Sequence, residues 1–219
     1  LTKPMLRELV PCPDQRFEDE LLADGYTVVA GVDEVGRGPL AGPVTAAAVI
    51  LDLSVLPEGL NDSKKLGPRE RERLTLVLQQ CAQISVAHAT VEEIDRLNIL
   101  RASHLAMCRA VEGLSIAPNA LLVDGSLVPR GLKMPARALV KGDARSLSIA
   151  AASIVAKTAR DRIMAELAEE CPGYGWETNA GYPTPAHKAA LLDLGVSRHH
   201  RRSFRPVHNI LYQGKFLTP

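Results

Sequence analysis

Residues 29–43 read Val29-Ala-Gly-Val-Asp33-Glu34-Val-Gly36-Arg37-Gly38-Pro-Leu-Ala-Gly-Pro43. Thr27 to Val32 alternates as a β-strand does, and the run ends on two adjacent carboxylates. Neighbouring acids raise each other's pKa unless a cation neutralises them, so this pair points to a divalent metal. Arg37 and the backbone N–H groups of a glycine turn are poised beside it for an anion. Further along, Ala120-Leu-Leu-Val-Asp124-Gly125 repeats the design: a buried strand whose last residue is a carboxylate before a turn. In open α/β sheets, ligands collect outside the carboxyl ends of strands, so both acids are expected at one edge. Asp143 is the third position. It follows Lys141 and precedes the small-residue run Ser148-Ile-Ala-Ala-Ala-Ser153, whose low bulk lets a helix lie close to a sheet. Oxygen ligands without histidine or cysteine select Mg²⁺ or Mn²⁺ over zinc. Two such ions about 4 Å apart activate a water and stabilise the leaving oxygen in phosphodiester cleavage.

Working outward, Asp14 to Leu22 is expected as a short helix and Val44 to Leu51 as a second strand, favoured over helix by its β-branched residues and flanking turn signals. A helix is predicted for Pro68 to Gln80, a strand for Ile84 to Thr90, and one helix for Val91 to Gly113 with Ile94, Leu97, Leu105 and Val111 inward. Ala120 to Val123 and Arg137 to Val140 read as strands around a 129–135 loop, and Ser146 to Glu169 as the longest helix. Strands alternating with helices after an early run of strands indicate an α/β domain around a mixed sheet.

The chain has 219 residues, room for one substantial core, and 26 Lys and Arg nearly balance 25 Asp and Glu, which excludes a uniformly basic nucleic-acid coat but permits a polarised one. Such polarity appears between Ser197 and Arg205, where Arg198, Arg201, Arg202 and Arg205 stand with His199 and His200 and no acid. Cys12, Cys81, Cys108 and Cys171 are too scattered for a disulfide scaffold or a zinc site. No segment approaches the roughly 18 apolar residues of a membrane span, and no signal-peptide core is visible, so a cytoplasmic protein without membrane contact is expected. The absence of a heptad or an exposed apolar stripe leads us to expect a monomer.

Each feature has a plainer reading. Asp-Gly after a strand is also a turn former. Asp143 is equally placed to cap the following helix. Lys157 and Asp161, four apart on that helix, make a solvated ion pair. Asn61-Asp-Ser63-Lys64-Lys65 is either a solvated loop or a phosphate contact. The basic cluster binds a duplex or is an exposed turn. A nucleotide-binding protein is a rival reading, but Gly-x-Gly-x-x-Gly and Walker patterns are absent and the acids precede the glycines. A purely binding module on the basic patches is another, though it has no need of converging acids.

The blocks Val29 to Pro43, Asn61-Asp-Ser-Lys-Lys-Leu66, Val123-Asp-Gly125, Lys141-Gly-Asp143, Ser148 to Lys157 with Arg160-Asp161, Gly181-Tyr182 with Thr184 and His187, and Arg201-Arg-Ser-Phe204 occur in the order seen in one family. The chain resembles bacterial type 2 ribonuclease H (ribonuclease HII) over residues 29–204. The resemblance implies an RNase H-like α/β fold, a five-stranded mixed sheet flanked by helices, in a single domain over 1–219. Its core would span about 27–170, with a helical C-terminal extension over about 171–219. It implies Asp33, Glu34, Asp124 and Asp143 as metal-binding catalytic acids, with Mg²⁺ or Mn²⁺ as cofactor. The substrates implied are RNA/DNA hybrids and duplex DNA containing ribonucleotides, nicked 5′ of the ribonucleotide. Gly36, Arg37 and Gly38 would approach the 2′-hydroxyl, and Tyr182 would pack on the sugar at the junction, where its plainer role is a core tyrosine. Ser63, Lys64, Lys65 and Lys157 are carried as further substrate contacts, and Arg160 as facing phosphate or pairing with acids. Ser126 stands where the family often has asparagine. Pro183 and Pro185 flank Thr184, and Pro183 bears on how Tyr182 is presented.

Overall fold

A computed structural model describes residues 12–213. The sheet is built from β1 (Val29–Val35), β2 (Val44–Leu51), β3 (Ala82–Ala89), β4 (Ala120–Asp124) and β5 (Ala136–Leu139), in the order β3-β2-β1-β4-β5. β1, β2 and β3 form an antiparallel meander, and β1, β4 and β5 run parallel, so the sheet is mixed as expected.

Both faces of the sheet are covered. On one lie α2 (Pro68–Cys81) and α5 (Leu147–Glu170), whose Leu74, Leu78, Ala151, Ala152 and Ile154 pack on Ala47 and Val49. On the other lie α3 (Val91–Leu97) and α4 (Ile99–Glu112), with Ile94, Ala102, Ala106 and Met107 against Ala30, Val32, Ala46 and Ala48. The small-residue run of α5 does bring helix and sheet together. A Cβ on Gly31 of β1 would lie 2.1 Å from the Ser148 carbonyl carbon, so only glycine fits there. α1 (Arg16–Ala23) closes the far end, and its buried Glu18 accepts from Ser146 Oγ and from the Ser148 N–H and Oγ at the start of α5.

Two expectations are corrected. The helix expected over 91–113 is two helices, because Asn98 adopts φ 71° between them, ends α3, and accepts from the Arg101 N–H to start α4. Such a break falls within an unbroken apolar period and leaves no trace in it. Ile94 and Val111 are buried, whereas Leu97 and Leu105 are half-buried. The N-cap of α5 is Ser146, whose side chain accepts from the Ile149 N–H, and Asp143 sits earlier in a 3₁₀ turn over Gly142–Ala144.

The C-terminal helical part expected over 171–219 runs beyond the described residues. Within them it comprises α6 (Trp176–Asn179), α7 (Pro185–Leu194) and α8 (Arg205–Gln213). Leu40 and Ala41 from the loop after β1, Met164 of α5, and Tyr174, Trp176, Leu191 and Val207 form their shared core.

Candidate active site and nucleic-acid interface

The register of β1 and β4 sets Val32 opposite Val123, so the next residue on each strand, Asp33 and Asp124, falls at the same end of the parallel pair. Glu34 follows Asp33. The turn carrying Asp143 is tied to β4 by the Gly142 N–H, which donates to Asp124 Oδ1 at 2.7 Å. Four acids from three chain segments thus share one sheet edge.

Their electrostatics are unfavourable. Asp33 is only 5% exposed, and its carboxyl is raised well above the ordinary range, first by burial and then by Glu34, Asp124 and Asp143. Burial also raises Glu34, against the pull of the Arg37 guanidinium at 3.1 Å. Asp124 is raised by burial and by Asp143, against the backbone N–H groups of the turn. Lys64 reaches Asp143 with its ammonium at 3.0 Å. Burial alone would lower that lysine, but the bond to Asp143 and the surrounding acids raise it overall. Four buried or half-buried acids met by only two cations, Arg37 and Lys64, are a strained arrangement that a bound cation relieves. The donor set is carboxylate oxygen throughout, which fits a hard divalent ion. Among the described residues no three of these acids bring ligand atoms within 4.8 Å of one another, whereas Glu170, Cys171 and His199 do. At that second cluster, however, the Arg198 guanidinium already contacts Glu170 and His199, so it is an ion-paired surface group.

The residues expected to touch substrate divide into distinct groups. Tyr182 is 40% exposed, not a core tyrosine, and its ring lies against Gly38, where an added Cβ would come within 3.3 Å of it. Among the described residues the N–H groups of Arg37 and Gly38 have no backbone acceptor. Gly36 has φ 93° and would place a Cβ 2.2 Å from Arg160 Nε, so its glycine is required by the packing behind the loop. Lys64 and Lys65 are exposed, while Ser63 is buried and its N–H donates to Ser153 Oγ, so it supports the turn beneath them. Lys157 pairs with Asp161 at 2.6 Å, and Arg71 takes the other oxygen.

Two arginines overturn the surface reading. Arg160 and Arg201 are both 0% exposed, and neither makes an ion pair among the described residues. Arg160 donates to the carbonyls of Ala41, Pro43 and Ala180. Arg201 donates to those of Gly36, Arg37, Gly42 and Pro43. Burial lowers Arg160 to about 10, and burial together with Arg160 lowers Arg201 to about 9, so both stay charged at neutral pH. The 198–205 cluster is therefore not one exposed patch: Arg201 is a core residue and Arg198 pairs with Glu170.

Behind Tyr182 lies a histidine pair. The Tyr182 carbonyl can only accept, so His187 carries its proton on Nδ1 at 2.9 Å from it. His187 Nε2 then accepts from Trp176 Nε1–H and from His200 Nε2–H, both at 3.1 Å, and His200 Nδ1 accepts from the Ser197 N–H. Burial lowers both histidines, His200 to about 3.

Ser103 and His104 of α4 line a small cleft with Glu34, Arg37 and Asp124, about 90 Å³ in volume. On sequence they sit inside an amphipathic helix with nothing to single them out. Leu100, His104 and Leu127 continue the cleft into a wider groove of about 780 Å³ flanked by Arg101 and Arg130.

Comparison with known proteins identifies the family and agrees with the fold. The family model described as Ribonuclease HII matches residues 30–207. The Ribonuclease HII of Ruegeria sp. (strain TM1040) is 67% identical over 92% of this chain and 88% of its own. That of Paracoccus denitrificans is 67% identical over 94% of this chain and 98% of its own. Among solved structures, the ribonuclease H2 from Pyrococcus horikoshii OT3 superposes with a TM-score of 0.74 at 30% identity, covering 85% of this chain and 98% of that one. Among the described residues, no helix is long and apolar enough to cross a membrane.

Proposed function

The chain belongs to the ribonuclease HII family, and from that premise we propose that Asp33, Glu34, Asp124 and Asp143 are the metal-binding catalytic acids of this enzyme. It is a type 2 ribonuclease H, an endonuclease that hydrolyses the RNA strand of RNA/DNA hybrids and nicks DNA 5′ of embedded ribonucleotides, leaving 3′-hydroxyl and 5′-phosphate ends. The observation that carries the assignment is the convergence of the four acids on one sheet edge, with Asp33 buried among three like charges.

Asp33, Glu34, Asp124 and Asp143 would hold Mg²⁺ or Mn²⁺, which would supply an activated water and neutralise charge on the leaving oxygen. Adjacent strands hold Asp33 and Asp124, and the Gly142 N–H fixes one oxygen of Asp124, so the carboxylates are oriented before substrate arrives. Arg37 and Gly38 offer N–H groups to phosphate and 2′-hydroxyl oxygens, and the 2′-hydroxyl is what distinguishes RNA from DNA. Tyr182, exposed beside Gly38, is placed to pack on the sugar whose hydroxyl that loop reads. Lys64, exposed along its side chain and paired with Asp143, would be available to the phosphate backbone once a metal neutralised that acid. Lys65 and Lys157 are weaker candidates for backbone contact. The same reading takes the protein to work as a cytoplasmic monomer, which sedimentation at micromolar concentration checks.

The test is cleavage of an end-labelled DNA duplex containing one ribonucleotide, with Mg²⁺, Mn²⁺ or chelator and with Asp33→Asn in parallel. A metal-dependent nick 5′ of the ribonucleotide, lost in the variant while duplex binding persists, supports the assignment. Full activity in Asp33→Asn would overturn it.

A further inference from the structure

The loop that follows the catalytic strand is held by two buried cations in addition to its backbone bonds, among them the Ala41–His200 bridge. Between Gly36 and Pro43 five carbonyls point inward: those of Gly36, Arg37 and Gly42 to Arg201, that of Ala41 to Arg160, and that of Pro43 to both. A buried guanidinium without a carboxylate is unusual, since desolvation must be offset by hydrogen bonds alone. Here the planar forks supply that geometry, which a single-point ammonium does not reproduce. With the carbonyls of Gly36 and Arg37 turned inward, the peptide planes that follow direct the N–H groups of Arg37 and Gly38 the opposite way, where they meet no backbone acceptor among the described residues.

Of the two, Arg160 also reaches the segment that presents Tyr182. Arg160 Nη1 donates to the Ala180 carbonyl at 2.9 Å, and the Leu40 N–H donates to the Gly181 carbonyl at 2.7 Å. The two segments are in direct contact, since a Cβ on Gly181 would lie 2.7 Å from the Ala41 carbonyl oxygen. Arg201 is itself anchored, its N–H donating to the Leu40 carbonyl at 2.8 Å and its guanidinium lying over the Phe204 ring.

We infer that Arg160 and Arg201 are positioning residues for substrate discrimination: together they set the outward N–H groups of Arg37 and Gly38 at a fixed offset from the Tyr182 ring, so that one ribose is read by both. The inference rests on the assignment of those three residues as substrate contacts. Neither arginine touches substrate or metal. Their effect is confined to the loop and the 180–182 segment, so it falls on recognition of a single ribonucleotide in DNA more heavily than on cleavage within a long hybrid, where neighbouring riboses offer alternative registers.

The experiment compares kcat and KM on a DNA duplex with one ribonucleotide and on an all-RNA/DNA hybrid, for wild type, Arg160→Lys, Arg201→Lys, Gly181→Ala and Tyr182→Ala, with thermal melting of each. Gly181→Ala is included because it forces the two segments apart without altering either arginine. A misplacement on the order of 1 Å costs about 100-fold, and we expect a loss of that size in kcat/KM for the single-ribonucleotide duplex, carried mainly by KM. The loss on the hybrid should be several-fold smaller, with an unchanged Mg²⁺ requirement in folded variants. Gly181→Ala should reproduce the pattern. Equal losses on both substrates that track the melting temperature would overturn the inference and leave the arginines a structural role. If Tyr182→Ala leaves the ratio of the two substrates unchanged, the assignment of substrate contacts fails instead.

Discussion

Two buried polar clusters flank the loop from Gly36 to Pro43, and they are satisfied in opposite ways. On the sheet edge Asp33, Glu34, Asp124 and Asp143 repel one another and meet few protein cations, Arg37 on Glu34 and Lys64 on Asp143. Behind the loop Arg160, Arg201, His187 and His200 meet no carboxylate among the described residues, yet their donors find carbonyl oxygens or a neighbouring ring nitrogen. The first cluster holds strain that a metal relieves, and the second is complete as it stands. Low dielectric sharpens both outcomes: it penalises unpaired charge and rigidifies a network whose bonds are all made. On the proposed assignment, the cluster that would bind an ion is left incomplete, and the frame behind the loop is finished.

The largest expected effect comes from Asp33→Asn. If the acids are held under strain for function, removing one charge abolishes activity by at least about 10³-fold, the scale of losing an electrostatic catalytic group, while raising stability in metal-free buffer. A gain of several degrees in melting temperature would be readable, because about 1 kcal/mol shifts Tm by roughly 2–4 °C at this chain length. A fall in Tm would break the comparison at its acidic side. Next is Arg201→Met, which leaves the carbonyls of Gly36, Arg37 and Gly42 without their side-chain donor, while that of Pro43 keeps Arg160. At about 1–3 kcal/mol for each unsatisfied group, partly recovered by water, a loss on the order of 3–5 kcal/mol is expected in urea melts. Arg37→Ala, which removes an exposed guanidinium, should stay within about 1 kcal/mol of wild type.

The acidic cluster was legible in the sequence and the basic frame was not, for a physical reason. A strand that alternates and then ends on a carboxylate is a local pattern, and Asp33 and Asp124 both make it, so their convergence followed from parallel pairing. Arg201 sits in a run of arginines and histidines that reads as surface, since its partners are carbonyls some 160 positions earlier in the chain. No local pattern encodes such a pairing. The motif resemblance carried Tyr182 to the site, but its contact with Gly38 needed the fold. Asn98 escaped because one left-handed residue interrupts α3 and α4 without disturbing their apolar period.

A smaller effect appears with pH, where the clusters oppose one another. His200 has a pKa of about 3 in the fold against 6.5 when exposed, and His187 is lowered in the same direction. The unfolded chain therefore binds more protons across that window, and stability falls as pH drops from 6.5. Each pH unit within it costs up to about 1.4 kcal/mol per histidine. Asp33, Glu34 and Asp124 are raised, so the native state takes up their protons first and stability recovers as pH falls through those values. Urea melts between pH 7 and pH 4 should show a shallow net slope in wild type. The slope should become steeper in Asp33→Asn and flatter in His187→Gln, with the fluorescence of Trp176, the single tryptophan, reporting the histidine pair. The same slope in all three proteins would mean that the clusters do not titrate as assigned.

The smallest effect belongs to Lys64, the lysine paired with Asp143 of the acidic cluster. Its side chain is 78% exposed, yet its ammonium lies 3.0 Å from Asp143. An exposed ion pair contributes about 0–1 kcal/mol, and in metal-free buffer Lys64→Ala should lower stability by no more than that. With saturating Mg²⁺ the difference should vanish or reverse, because the metal neutralises Asp143 and the lysine then adds only repulsion. Melting the variant and wild type with and without Mg²⁺ reads this directly. A loss that persists at the same size in Mg²⁺ would show that Lys64 braces the 3₁₀ turn rather than standing in for an ion. In that case the acidic cluster would resemble the frame behind the loop, finished by protein contacts alone, and the contrast between the two would narrow to the sign of their charge.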